Sequence, residues 1–151
     1  KESSAASDVY KRQVLLYAYD DGGDHRHDRA LELVADLGRS RAGVLSVQVL
    51  QEFYVNVTQK VRVPLDPLTA REILRTLSRW PAHSPLASDV IAAAEIAESA
   101  QLSFWDAMVI RSAQRMGCDT LWSEDLNDGQ VIAGVRVRNP FASGDAGFES
   151  G

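Results

Sequence analysis

Two periods of apolar residues share this chain. Residues 27–37 place Ala30, Leu31, Val34 and Leu37 at helical spacing, and residues 69–79 do the same with Ile73, Leu74 and Leu77. Ser46 is a capping residue ahead of a helix running to about Lys60, and residues 87–100 are alanine-rich and helix-favouring. Ser103 precedes a further helix over 104–116, closed by Gly117. Between these lie short apolar runs of strand length at 14–19, 43–45, 120–122 and 135–137, with a turn or edge strand at 81–85. Gly22-Gly23 and Pro64-Leu65-Asp66-Pro67 mark loops. Short strands alternating with helices predict an α/β fold of three layers, α/β/α, around a central, mainly parallel sheet.

At 151 residues the chain suits one domain with a substantial core. Residues 14–141 show no linker or repeat and are expected to form that domain. Residues 1–13 are polar, lack an initiator methionine and are expected to be foreign or disordered; the Gly- and Ser-rich residues 142–151 are expected to be a flexible tail. No apolar run approaches the roughly 20 residues that a bilayer demands, so no membrane role is expected. Cys118 is the only cysteine, which excludes an intrachain disulfide and a multi-cysteine zinc site and fits a reducing, cytoplasmic setting. A net charge of −5 disfavours a non-specific nucleic-acid binder. It leaves room for a nuclease that concentrates carboxylates and offsets them with divalent cations.

Carboxylates stand where the chain changes element. Asp106 falls in the first turn of its helix, where the partly positive N-terminus tolerates an anion, and Ser103 three residues earlier reads as an acidic variant of the capping box. Asp125 and Asp128 follow the run at 120–122, and Glu52 lies early in the helix after the run at 43–45. Each alone has an ordinary role: a cap, a turn beside Gly129, a solvated helix face. In open parallel sheets, however, sites form at the carboxyl ends of the strands, where such residues can converge. Hard divalent cations prefer carboxylate oxygens, and no cysteine or histidine cluster offers a softer alternative.

The order of several short motifs resembles a family. Trp105-Asp106-Ala107, Ser123-Glu124-Asp125-Leu126, Asp128-Gly129-Gln130 and the closing Asn139-Pro140-Phe141 resemble the C-terminal half of a PIN-domain nuclease, in particular the VapC-type toxins of prokaryotic toxin–antitoxin pairs. Leu45-Ser46-x-Gln48-Val49-Leu50-Gln51-Glu52-Phe53 resembles the second acidic motif, and Val14 to Asp20 the end of the first strand. The resemblance spans residues 14–141. It implies an endoribonuclease using Mg²⁺ or Mn²⁺, with Glu52, Asp106 and Asp125 catalytic and those residues and Asp128 as metal ligands; Ser123 reads equally as support for the cluster or as a helix cap. It also implies an RNA substrate, a cognate antitoxin protein and a homodimer. One departure stands out. The family's first-strand aspartate falls on Lys11, and Asp8 is an odd number of residues away, which on a strand turns a side chain to the other face. The chain as it stands is therefore expected to be a weak or inactive nuclease. Its empty site is expected to be half-formed, because unneutralised carboxylates repel one another.

Arg71, Arg75 and Arg79 recur at helical spacing as a basic stripe, read as a solvated face with an RNA-tracking role as the alternative. Trp80, Trp105 and Trp122 are read as core. His25 and His27 are read as surface loop residues. The rival from another class is a non-catalytic PIN-like module binding RNA or protein, which Lys11 favours. An acidic-pocket signalling domain would want a lysine near residues 135–140, and none is there.

Overall fold

The structure, a computed structural model, describes residues 7–10, 18–19 and 25–142. Six strands form one sheet: β1 (Ser7–Tyr10), β2 (Gly43–Ser46), β3 (Ala82–His83), β4 (Cys118–Trp122), β5 (Val131–Ile132) and β6 (Val135–Arg138), in the order β3-β2-β1-β4-β6-β5. All neighbours are parallel except β5 and β6. The helices whose bounds fall within the described residues are α1 (His25–Ser40), α2 (Val47–Gln59), α3 (Pro67–Leu77), α4 (Ala87–Ala100) and α5 (Phe104–Arg115). Every residue of β2 is buried, so helices cover both faces of the sheet. The α/β class and the mainly parallel sheet are as the sequence predicts.

The first strand is not where the apolar run places it. β1 is Ser7–Tyr10, at the centre of the sheet between β2 and β4, whereas Ala18 and Tyr19 are helical. A short apolar run has no period that separates a buried strand from a buried helical turn. Residues 11–17, including Lys11, lie outside the described residues.

Local chemistry explains most boundaries. Ser46 ends β2 and caps α2, its Oγ accepting from Val49 N at 3.1 Å. Val49, Phe53 and Val57 then recur every four residues on the buried face of α2. Asp66 caps α3 through Thr69 N at 2.8 Å, and Pro67 occupies the first turn, where no amide donor is needed. β5 and β6 form a hairpin absent from the sequence reading. Its Ala133 and Gly134 both have positive φ, 51° and 81°, the twist that a tight hairpin needs.

A buried polar cluster ties β3, α4 and α5 together. Asp89 is fully buried; its Oδ1 accepts from Arg111 Nε at 2.8 Å and its Oδ2 from Leu86 N at 2.8 Å. His83 Nε2 lies 3.4 Å from Asp89 Oδ2, and His83 Nδ1 lies 2.8 Å from Ser112 Oγ. Serine, histidine and aspartate thus stand in series, but Ser112 is sealed from solvent and the arginine engages the carboxylate. The cluster satisfies buried polar groups and joins elements; it presents no nucleophile.

Candidate functional site

The strand order reverses at β1: the chain moves outward through β2 and β3, then returns to β4 and β6 on the other side. A parallel sheet opens a crevice at such a point, beyond the carboxyl ends of its strands. β2 delivers Gln48 and Glu52 there on the first turns of α2, and β4 delivers Ser123 and Asp125. Helices that return between parallel strands start at the same edge, and α5 brings Trp105 and Asp106.

These residues meet. Gln48, Glu52, Ser103, Trp105, Asp106 and Asp125 line one cleft of about 290 Å³, with Val109 at its floor. Glu52 and Asp106 are half-buried and Asp125 is exposed. Asp106 does not itself head the helix: Ser103 is the cap, its Oγ accepting from Asp106 N at 3.1 Å. Ser123 is fully buried, and its Oγ accepts from Asp125 N at 3.2 Å. It fixes the turn that carries Asp125; no helix follows, so Ser123 caps none.

Gln48 stands in the second acidic motif, where the sequence reading gave it no role. Its Nε2 donates to Glu52 Oε2 at 3.3 Å and to Trp105 O at 3.2 Å, which bridges α2 to the start of α5. Both neighbours are acceptors, so the amide orientation follows from the bonds. Among the described residues its buried Oε1 has no hydrogen-bond partner. The i, i+4 spacing of Gln48 and Glu52 was the available signal. Trp105 corrects the sequence reading outright: the residue is 62% exposed at the cleft, while Trp122 is buried and Trp80 half-buried. Arg26 also reaches this edge, its Nε 3.3 Å from Glu124 Oε2 beside Asp125.

Other expected residues stand elsewhere. Asp128 does not line the cleft; its Oδ1 accepts from Asn139 N at 2.8 Å in the turn before β5. Arg71, Arg75 and Arg79 do not approach it either. Arg75 pairs with Glu72 at 3.0 Å on an exposed helix face, and Arg79 lines a separate cavity with Trp80 at the start of β2, the opposite sheet edge. His27 belongs to α1 rather than a loop. Cys118 is a buried residue at the start of β4.

The donor set is all hard oxygen, with an orphaned amide oxygen beside it, which in kind fits Mg²⁺ or Mn²⁺. In number it falls short: among the described residues no group of three or more His, Cys, Asp or Glu side chains is close enough to hold a metal ion.

The sequence matches the PIN domain family over residues 12–128. This chain belongs to the PIN-domain family. None of the curated proteins matches its sequence. Among solved structures, the PIN domain is similar to VapC20 of Mycobacterium tuberculosis, a toxin that cleaves the sarcin–ricin loop, at a TM-score of 0.61 and 18% identity, covering 86% of this chain and 99% of that one. It is similar to VapBC2 of Rickettsia felis, solved with a promoter DNA fragment, at 0.59 and 18%, covering 87% and 97%. It is also similar to FitAcB of Neisseria gonorrhoeae, at 0.58 and 14%, covering 89% and 99%. At these identities the likeness establishes a shared fold.

Proposed function

We propose that this PIN domain is an endoribonuclease of the VapC toxin type, hydrolysing RNA phosphodiester bonds with Mg²⁺ or Mn²⁺. The observation that carries the reading is the cleft in which Glu52, Asp106 and Asp125 come together at the switch point of the sheet. These carboxylates would hold the cation only together with a further ligand, the aspartate that the family carries where this sequence has Lys11. Bound there, the ion supplies charge neutralisation and an activated water for attack on phosphorus. The chain's own residues orient: Gln48 holds the Glu52 carboxylate, and Ser123 holds the turn of Asp125. With lysine in place of the first-strand aspartate, the chain as it stands would be a weak or inactive nuclease.

Its partners on this reading are an RNA substrate, an antitoxin protein and a second copy of the chain, in the cytoplasm. The similarity to VapBC2 and FitAcB supports the antitoxin. Among the described residues no helix is long and apolar enough to cross a membrane.

The test restores the ligand. Lys11→Asp should tighten Mn²⁺ binding in titration calorimetry and allow cleavage of a structured RNA in Mn²⁺ but not in EDTA. In that background Glu52→Gln, Asp106→Asn and Asp125→Asn should each lower cleavage by about a hundredfold or more, as loss of a transition-state electrostatic group does. Cleavage that ignores EDTA and all these substitutions refutes the metal site. The Lys11 substitution also favours a second reading, a non-catalytic PIN-like module. RNA binding without cleavage in the restored protein would decide for it.

A further inference from the structure

We infer that Trp105 is a stacking platform for an unpaired nucleobase of the RNA beside the acidic cleft. This rests on the nuclease reading above and adds how the substrate is recognised. Trp105 is among the most exposed large apolar residues, at 62%, yet it stands in a cleft whose other lining residues, Val109 apart, are the polar Gln48, Glu52, Ser103, Asp106 and Asp125. An apolar protein partner covering this ring would have to bury those carboxylates, which is costly without compensating partners. A nucleotide has no such conflict. Its base offers a flat π surface to the indole, and its phosphodiester continues toward the acidic side of the cleft.

The ring is also held ready. Phe104 packs edge-on against it, with centroids 5.1 Å apart at 75°, and Gln48 Nε2 pins the Trp105 carbonyl at 3.2 Å. A fixed aromatic loses little freedom when a base lands on it. Trp105 directly precedes Asp106, so the platform and the acidic residue move as one piece at the start of α5. Stacking tolerates any base but requires one that is out of a duplex, which is how proteins commonly read RNA.

The experiment measures binding, so it does not depend on turnover. The full chain is titrated, in Ca²⁺ to neutralise the carboxylates, with a short unpaired oligoribonucleotide and with the same strand fully paired, by fluorescence anisotropy of the labelled RNA. The unpaired strand should bind more tightly, and Trp105→Ala should weaken it by about tenfold, the usual worth of one stacked base. Trp105→Phe should keep most of the affinity. It should also abolish the quenching of tryptophan emission by RNA, since Trp80 and Trp122 lie outside the cleft. Thermal melts of both variants should match the parent, because the ring is exposed. Equal binding of RNA by parent and Trp105→Ala overturns the platform and leaves the nuclease reading standing. A change in oligomeric state with unchanged RNA affinity overturns it in favour of a protein contact. No RNA binding by the parent overturns both.

Discussion

Gln48 Nε2 lies 3.3 Å from Glu52 Oε2, one helical turn along α2, and so holds the carboxylate of a candidate catalytic residue. The same nitrogen donates across the cleft to the Trp105 carbonyl. One neutral side chain thus ties the Glu52 motif on α2 to the Trp105-Asp106 motif at the start of α5.

Replacing Gln48 by leucine should therefore separate assembly of the site from stability. The substitution removes two hydrogen bonds, each worth about 1 kcal/mol net, but also removes a buried unpaired oxygen that costs about 1–3 kcal/mol. The melting temperature should barely move. In the Lys11→Asp background, Mn²⁺ affinity by calorimetry should fall by about tenfold, the lower range for lost outer-shell support. Unchanged affinity would mean that Glu52 needs no holding.

Ser103 and Asp106 divide two roles that the sequence merges. Ser103→Ala should cost about 1 kcal/mol in chemical denaturation for the lost cap, with cation affinity little changed. Asp106→Asn should do the reverse: intact folding, and loss of Mn²⁺ binding in the restored protein. A neutral amide cannot balance a divalent charge. If Asp106→Asn binds Mn²⁺ normally, Asp106 is not a ligand.

The buried Asp89 cluster should set the acid limit of the fold. The Leu86 amide above all, with Arg111, Arg115 and His83, outweighs burial and holds the Asp89 carboxyl below its usual range. A depressed folded value means stability that is present above the unfolded carboxylate pKa, about 3.9, and is lost as pH falls through the lower folded value. Asp89→Asn should lower the melting temperature by several degrees at neutral pH, and the gap to the parent should narrow in acid. An equal gap at every pH from neutral into the acid limb would show that the charge is immaterial.

Gly43 should tolerate no side chain while Trp80 is present. A Cβ there would lie 2.4 Å from one indole carbon and 2.7 Å from another. Gly43→Ala should destabilise by about 1–3 kcal/mol, as overpacking does. The penalty should shrink when Trp80→Ala is combined with it, because the clashing ring is then gone. Additive effects in a double-mutant cycle would place the strain elsewhere.

Helix placement, capping at Ser46 and Ser103 and the α/β class were legible in the sequence itself, whereas Glu52, Asp106 and Asp125 stood out as candidates through the family resemblance. Periodicity, caps and breakers act within a few residues, so they leave a local record. The position of β1 was not legible, since a short apolar run fits a strand or a helical turn and only pairing with β2 and β4 chooses. The β5–β6 hairpin was missed because Ala133-Gly134 is not a strong turn pair; the sheet imposes its positive φ values. Which side chains share the cleft was decided by tertiary structure alone. Asp125 and Asp128 both read as metal ligands in the sequence, but the chain turns between them, giving one to the cleft and the other to Asn139. Trp105 has the composition of a core residue, yet the start of α5 presents it to solvent. Gln48 has no charge to draw notice, and its role exists only because α2 and α5 begin at the same edge of the sheet. Distances between residues far apart in sequence are set by packing of whole elements, and no local pattern encodes them.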